Sequence, residues 1–447
     1  MISTKEQNQN MVLDIFNIIK SPRIRSSFIY LTGSIIGTGV AFILVPILTR
    51  YLTPYDYGVV SNFLALFTLS SYFICLSNSG YVFRNYFFLN KSDLSRSISN
   101  VFFINSLIAV IVLISLIILN KIILLNLQIP IEWLLFIPLI SLSQILIDIT
   151  LGLYQAQNLA KKYTILQLAQ TVLNLALSIG LVVFLLWNWQ GRILAQIITV
   201  VFLACISVVI LKTKYSISFS AKSLNKPDIK DFLKFGVPLI PHSIGGFVLS
   251  LSDRFFLSSM VSVSAAGIYS VGATFGGLMM ILHGAFYKVY LPYAFDKLSS
   301  TNDSVLIKKK LVKITYIYIT IFIFLSFFLY SIAKIIFPWF VGPKFENAYI
   351  YVFWISLGYA MLAAYQMFAI YIVYTKKTKI AAFRTDFLAA IVKLPLTYFM
   401  IIWFGPIGAA QATFIAYFIT AISAWYINNK VFPMPWFDLY HAQAKSN

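Results

Sequence analysis

The chain has 447 residues, of which 60% are hydrophobic and only 11% are charged, and its mean hydropathy is +0.85. A soluble protein of this length needs a polar surface that this composition does not supply, so a soluble globular protein is excluded. The formal net charge of +20 would suggest nucleic-acid binding in a soluble protein. Basic loops on one face of a membrane explain the same charge without nucleic acid.

Apolar runs of membrane-spanning length follow one another along the whole chain. A hydrocarbon core of roughly 30 Å needs about 20 apolar residues per helix. The sequence predicts an all-α membrane protein with twelve spans, at 28–49, 58–80, 97–119, 131–153, 164–187, 193–211, 235–257, 265–287, 314–336, 348–372, 381–403 and 406–427. The loops between these spans are short and leave no room for a large soluble domain.

Positive residues alternate between the predicted loops. Of the 34 Lys and Arg residues, 27 lie in the termini and the even-numbered loops, and six lie in the odd-numbered loops. The positive-inside rule therefore places both termini in the cytoplasm. We expect a multi-pass protein of a bacterial inner membrane, in contact with membrane lipids.

The two halves of the chain correspond to each other. Thr49 onward resembles Asp253 onward, and the matched pairs are Arg50 with Arg254, Gly58 with Gly267, Lys161 and Lys162 with Lys376 and Lys377, and Ala195 and Gln196 with Ala410 and Gln411. Each half has six spans, and an even number gives both halves the same orientation, which is a parallel repeat.

This repeat predicts five segments. They are a cytoplasmic N-terminal segment 1–27, an N-lobe 28–211, a basic cytoplasmic linker 212–234, a C-lobe 235–427 and a cytoplasmic tail 428–447. Transporters with parallel repeats bind substrate between the halves, so the repeat favours transport.

Three motifs carry a family resemblance: ILVPILTRYLTPYDYGVVS, then LKFGVPLIPHSIGGFVLSLSDRFFLS followed by AAGIYSVG, and FGPIGAAQATFIAY. In this order they resemble the polysaccharide transporter branch, with its Wzx-type flippases, of the multidrug/oligosaccharidyl-lipid/polysaccharide superfamily. The resemblance covers residues 28–427. It implies a MATE-like, V-shaped pair of six-helix lobes that moves a polyprenyl-diphosphate-linked oligosaccharide, the repeat unit of an O-antigen, capsule or exopolysaccharide, to the outer leaflet by alternating access. A polysaccharide polymerase and a chain-length regulator are the partners that it implies.

Lys393 is the sharpest candidate for binding the diphosphate. It lies about twelve residues into the eleventh predicted span, which is ~18 Å deep at the rise of an α-helix. A charge at that depth costs about 3 kcal/mol on insertion scales, so an idle lysine is unexpected. The alternative is a lysine that forms a salt bridge with a structural carboxylate.

Arg50 and Arg254 occupy equivalent outer ends of the first and seventh predicted spans. They are candidates for the diphosphate, and the alternative is that each caps the C-terminus of its own helix, where the macrodipole favours a cation, or extends to the lipid head groups. Asp253 is expected to orient or pair with Arg254.

Further cations lie near the predicted inner ends of spans, namely Arg84, Lys288 and Arg384. A basic mouth that attracts diphosphate is one interpretation of them, and positive-inside bias alone is the other. His242 belongs to the same set and could instead bond a backbone carbonyl freed by Pro238 or Pro241. His242, Pro238 and Pro241 are assigned to a gate helix that bends, since a membrane helix with prolines needs neighbouring groups to bond its free carbonyls.

Polar side chains recur at three- and four-residue spacing on the fifth predicted span, at Gln167, Gln170, Asn174 and Ser178. This spacing places them on one helical face. Amides and hydroxyls there suit sugar hydroxyls, but the same groups hold membrane helices together.

Other activities receive less support from the sequence. Asp and Glu total only 14, and no phosphate-binding glycine loop is present, so we expect no enzyme activity, no ATP use, no metal and no cofactor. Asp148 is the acidic residue predicted to couple an ion. The alternatives left open are a cation-coupled exporter of drugs or small amphiphiles, and a non-transporting component or polymerase of a polysaccharide assembly complex.

Overall fold

The computed structural model describes residues 22–217, 224–300, 305–375 and 388–437. Every regular element in these ranges is a helix. The helices are α1 Pro22–Tyr51, α2 Pro54–Cys75, α3 Asn78–Asn85, α4 Lys91–Ile118, α5 Asn120–Leu127, α6 Ile131–Leu134, α7 Phe136–Ala156, α8 Ala160–Ile179, α9 Asn188–Tyr215, α10 Lys226–Gly236, α11 Ile240–Ser250, α12 Asp253–Met260, α13 Val263–Gly276, α14 Leu278–Ser300, α15 Val305–Phe340, α16 Tyr349–Tyr374, α17 Leu388–Phe404 and α18 Ile407–Val431.

Many of these helices are long and apolar enough to cross a membrane. In the described ranges, ten helical segments are long and apolar enough to cross a membrane, and two shorter apolar stretches, Phe42–Tyr51 and Ala389–Phe404, lie in α1 and α17. Each of the twelve predicted spans overlaps one of these segments. The all-α membrane class is therefore confirmed, while the count of twelve spans stays a prediction.

The seventh predicted span, 235–257, is interrupted in the structure. A 3₁₀ turn at Val237–Leu239 separates α10 from α11, and a second break at Leu251 and Ser252 separates α11 from α12. Pro238 and Pro241 have no amide hydrogen to donate at the first break. At the second, the Ser252 hydroxyl donates to the Val248 carbonyl at 2.6 Å, a competing bond that bends helices. Asp253 is thus placed in the first turn of a new helix.

The FGPIG motif makes the corner between α17 and α18. Gly405 follows the last residue of α17 with a φ of +66°, and its amide donates to the Ile401 carbonyl at 2.8 Å. A glycine in the left-handed region closes a helix in this way without a Cβ penalty. Pro406 then precedes α18, whose sequence supplies Thr413 to the site described below.

The helices that follow the matched arginines, α2 and α13, each have a side-chain N-cap and pack closely against each other at a glycine. Thr53 and Asp56 form a reciprocal cap at the start of α2, and Ser262 accepts from the Ala265 amide at the start of α13. A Cβ added at Gly58 would overlap the Val263 carbonyl, and one added at Gly267 would overlap the Pro54 carbonyl. Such reciprocity is the pattern that a two-fold relation between the repeats produces.

Contacts between residues divide the chain into two compact units. The first unit comprises Met1–Leu44, Phe73–Ser115 and Leu135–Pro238, and the second comprises Val45–Tyr72, Leu116–Leu134 and Leu239–Asn447. The residues from Val45 to Tyr72 join the C-terminal half in the second unit. The sequence-based division into lobes at 28–211 and 235–427 therefore stays a prediction about the halves of the chain.

Candidate functional site

The second unit contains a fully buried ion pair. The Lys393 ammonium on α17 lies 3.0 Å from Asp253 Oδ2 on α12 and donates to the Leu249 carbonyl on α11 at 2.7 Å. Both Lys393 and Asp253 have 0% of their surface exposed. The pairing neutralises two charges that apolar surroundings would otherwise make very unfavourable.

Two hydroxyl groups complete the surroundings of the carboxylate. Tyr269 on α13 and Thr413 on α18 each donate to Asp253 Oδ2 at 2.7 Å. We call Asp253, Tyr269, Lys393 and Thr413 the Asp253 cluster. Asp253 is also in the first turn of α12, where the helix dipole favours a negative charge. Four helices therefore supply the cluster and are linked through one carboxylate oxygen.

Some hydrogen-bonding capacity in the cluster is left over. Within the described residues, Asp253 Oδ1 is buried without a hydrogen-bond partner. A lysine ammonium has three donors, and two of those on Lys393 are used by Leu249 and Asp253. One donor of Lys393 and one oxygen of Asp253 are therefore not used by these bonds.

The arrangement decides between the alternatives for Lys393 and corrects the expected pairing of Asp253. The salt-bridged alternative for Lys393 describes what the structure shows, and the carboxylate partner is Asp253. The expectation that Asp253 pairs with Arg254 is wrong, because the carboxylate accepts from Lys393, Tyr269 and Thr413. Arg254 instead donates to the Ser250 carbonyl at 3.2 Å. Whether Lys393 also binds diphosphate stays a prediction.

Arg50 and Arg254 both contact the ends of helices. Arg50 donates to the carbonyl of Trp339 in the last turn of α15 at 2.8 Å. The Ser250 carbonyl bonded by Arg254 is the last of α11. Each arginine therefore bonds a carbonyl at the C-terminal end of a helix other than the one that carries it, and capping of its own helix stays a prediction.

The polar face of α8 lies in the first unit, where it joins helices. Gln170 donates to Gln144 on α7 at 2.8 Å, and Gln144 donates to Asp148 at 2.9 Å. Asn174 donates to Gln196 on α9 at 2.8 Å. Ser178 is buried and bonds the carbonyl of Asn174 in its own helix, while Gln167 is half-buried. These bonds follow the helix-joining alternative, and sugar contact stays a prediction.

The predicted basic mouth is not assembled in one unit. Arg84 is exposed in the first unit and lies 6.0 Å from the Phe235 ring centroid, whereas His242 and Lys288 are exposed in the second unit. Arg384 lies outside the described residues. Pro238 is in the 3₁₀ turn and Pro241 is in the first turn of α11, which agrees with the expected irregularity of the gate helix.

Comparison with known proteins identifies the family. The family model described as polysaccharide biosynthesis protein matches residues 24–298, more than half of the chain. The chain belongs to the polysaccharide biosynthesis protein family. In Haemophilus influenzae, "Lsg locus putative protein 1" is 23% identical over 89% of this chain and 98% of its own length. An uncharacterized membrane protein of the same organism is 27% identical over 62% of this chain and 66% of its own.

Solved structures show the fold of this family member. The lipid II flippase MurJ in an inward closed conformation gives a TM-score of 0.69 at 15% identity, covering 90% of this chain and 87% of that one. A multidrug resistance MATE transporter of the MOP superfamily, in an inward-facing conformation, gives 0.67 at 12% identity, covering 88% and 93%. The polysaccharide biosynthesis protein therefore has the helical membrane fold of that superfamily, and these two neighbours are a transporter and a flippase, not enzymes.

Three polar groups in the second unit of this family member were not predicted from its sequence. Tyr269 and Thr413 lie in apolar runs where a hydroxyl gives no signal of its own. His283 is buried on α14, with Nδ1 2.6 Å from the Tyr318 hydroxyl and Nε2 2.7 Å from Gln366 Oε1. A lone histidine in an apolar span could have marked this second polar junction. The described residues hold no group of three or more His, Cys, Asp or Glu side chains able to bind a metal.

Proposed function

We propose that the protein is a flippase that moves a polyprenyl-diphosphate-linked oligosaccharide from the inner to the outer leaflet of a bacterial inner membrane by alternating access. Both termini lie in the cytoplasm in this proposal. Membership of the polysaccharide biosynthesis protein family is the observation that carries it. The fold that it shares with the lipid II flippase MurJ supports it, because that neighbour is a lipid flippase.

Lys393 is the residue that we assign to the diphosphate. Its ammonium is held among four helices by Asp253 and has one donor left. A diphosphate carries more negative charge than a carboxylate and competes well for an ammonium in apolar surroundings. Substrate arrival would then weaken the bond between Lys393 and Asp253. Because that bond links α17 to α12, its loss would loosen the helices that meet at the cluster.

The first test is transport by purified protein in liposomes. A fluorescent polyprenyl-diphosphate oligosaccharide is placed in both leaflets, and its access to an impermeant quencher is followed after reconstitution. Wild-type protein is expected to equilibrate the probe between the leaflets, and the neutral double variant Asp253→Asn with Lys393→Met is expected to be at least about tenfold slower. The matched control is Lys334→Ala, an exposed lysine on α15.

Two results would count against this function. One is the absence of probe movement by wild-type protein under any imposed ion gradient, which favours a non-transporting component of an assembly complex. The other is movement of cationic amphiphiles without movement of the lipid-linked probe, which favours an exporter. Wild-type rates in the neutral double variant would remove Lys393 from the diphosphate site while leaving the flippase function standing.

A further inference from the structure

Helix α10 has one face that holds it in the first unit. Phe232 is buried with its ring centroid 5.1 Å from that of Tyr81, and a Cβ added at Gly236 would overlap the Leu76 carbonyl. Asp228 Oδ2 accepts from Arg96 at 3.0 Å and from Asn100 at 3.2 Å. Asp228, Phe232 and Gly236 are spaced four apart and form one row along the helix.

A different face of α10 is open. Lys226, Lys230 and Lys234 are exposed and also recur every four residues. Ile229, Leu233 and Val237 form an adjacent apolar row. Together with Pro238 these two rows line a groove of about 580 Å³. In the described part of the chain, no ion pair involves the three lysines.

The charges on the helix are sorted by face. Asp228 is occupied by Arg96 and therefore does not neutralise the lysine row. Asp231 is exposed, one residue after Lys230 and three before Lys234, and among the described residues it forms no ion pair with either lysine. The exposed groove thus presents three ammonium groups, none of them in an ion pair among the described residues, beside aliphatic side chains.

We infer that this groove is a docking site for anionic phospholipid of the leaflet it faces, with headgroup phosphates on the lysine row and an acyl chain along Ile229, Leu233 and Val237. Lysine rows on amphipathic helices attract anionic headgroups, and the aliphatic row supplies the hydrophobic contact that holds the chain. The positive-inside rule places this face at the cytoplasmic leaflet.

Two features favour ordinary phospholipid over a lipid-linked sugar. Successive lysines are one helical turn apart, and the row rises about 12 Å from Lys226 to Lys234. That length suits several headgroups better than one compact diphosphate. Among the described residues, the groove is lined by lysine, aliphatic and proline side chains and by no amide or hydroxyl side chain that could bond a sugar. This site is therefore separate from the proposed function of Lys393.

The occupant is tested by photolabelling the full-length protein in phosphatidylcholine nanodiscs. Each nanodisc carries a small, equal fraction of either phosphatidylglycerol or phosphatidylcholine with a photoreactive acyl chain, and mass spectrometry quantifies label on the peptide that covers α10. We expect phosphatidylglycerol to label this peptide about tenfold more than phosphatidylcholine. The single variant Lys230→Gln should lower that ratio about fivefold.

Matched variants separate the groove from general basic charge. The triple change Lys226→Gln, Lys230→Gln and Lys234→Gln should bring the ratio close to one, and the corresponding triple change to Arg should preserve it. The control is Lys309→Gln, Lys310→Gln and Lys313→Gln, which removes equal charge from the first turns of α15. It should leave the ratio at α10 unchanged.

Three outcomes overturn the inference. The first is equal labelling of wild-type α10 by the two lipids. The second is an equal fall in the ratio in the α15 control, which would assign the attraction to total charge. The third is displacement of phosphatidylglycerol by an equal fraction of geranylgeranyl diphosphate, which would make the groove a polyprenyl-diphosphate site.

Discussion

The two units keep a carboxylate among apolar helices in different ways. Asp253 in the second unit is fully buried, paired with the Lys393 ammonium and bonded by hydroxyls from two further helices. Asp148 in the first unit is half-buried, and the bond to its side chain comes from an amide, Gln144, which is itself bonded by Gln170. Among the described residues, one carboxylate has its charge compensated by an ammonium, and the other accepts a hydrogen bond from one amide.

This difference predicts different sensitivities. Removing one member of a buried charge pair leaves the other charge uncompensated, so the Asp253 cluster should respond sharply to single substitutions. Amide bonds between membrane helices average about 0.6 kcal/mol, because a freed amide finds other partners. The hydrogen-bonded amides beside Asp148, Gln144 and Gln170, should therefore tolerate substitution. Asp148 is then free to exchange a proton or an ion.

The largest effect is expected from Lys393→Ala. It leaves the Asp253 charge buried with only hydroxyl partners, which should lower the free energy of unfolding by about 3–5 kcal/mol. Lys393→Met combined with Asp253→Leu removes both charges and should recover most of that loss. Thermal unfolding of purified protein in one detergent measures both variants. If the double variant is as unstable as Lys393→Ala, packing and not charge accounts for the loss.

The hydroxyl bonds to Asp253 should give the next largest effect. Tyr269→Phe and Thr413→Val each remove one bond to the carboxylate, and hydrogen bonds to charged groups contribute about 2 kcal/mol. Each should lower the free energy of unfolding by roughly that amount. Tyr351→Phe is a suitable control, because the Tyr351 ring is 5.4 Å from that of Tyr269 but its hydroxyl is not part of the cluster. Equal losses in all three variants would show that the aromatic and apolar packing dominates.

The sequence predicts much of the fold and only part of this cluster. Apolar length alone places the spans, and internal similarity matches Gly58 with Gly267, whose reciprocal contacts the structure then shows. Lys393 is found from its depth, since a charge there demands a reason. Its partner is not found, because 235–257 reads as one helix and that places Asp253 at the outer end beside Arg254. The break at Ser252 depends on local bonds that periodicity does not encode.

In the first unit, too, the sequence does not predict which residues on neighbouring helices bond each other. Three- and four-residue spacing correctly groups Gln170 and Asn174 on one face of α8. It does not say that Gln144 and Gln196 on neighbouring helices face them. An amide that bonds a sugar and an amide that bonds another helix have the same sequence signal, so contact geometry has to separate the two.

A smaller effect is expected in the amide chain of the first unit. Gln144→Leu and Gln170→Leu should each lower the free energy of unfolding by less than about 1 kcal/mol, and the double variant should reveal a coupling near 0.6 kcal/mol. Thermal unfolding again measures the cycle, with Gln167→Leu on the same face of α8 as the control. A coupling as large as that between Lys393 and Asp253 would erase the contrast between the two units.

The smallest change in stability is expected from Asp148→Asn. The asparagine carbonyl can still accept from Gln144, so the free energy of unfolding should stay within about 0.5 kcal/mol of the wild type. Transport is where this variant should differ, because asparagine cannot gain or lose a proton or neutralise a bound cation. In liposomes with an imposed proton or sodium gradient, the wild-type rate should rise with the gradient and the Asp148→Asn rate should not. A gradient response that survives the substitution would exclude Asp148 as the coupling group, while a large loss of stability would show that its charge, like that of Asp253, holds the helices together.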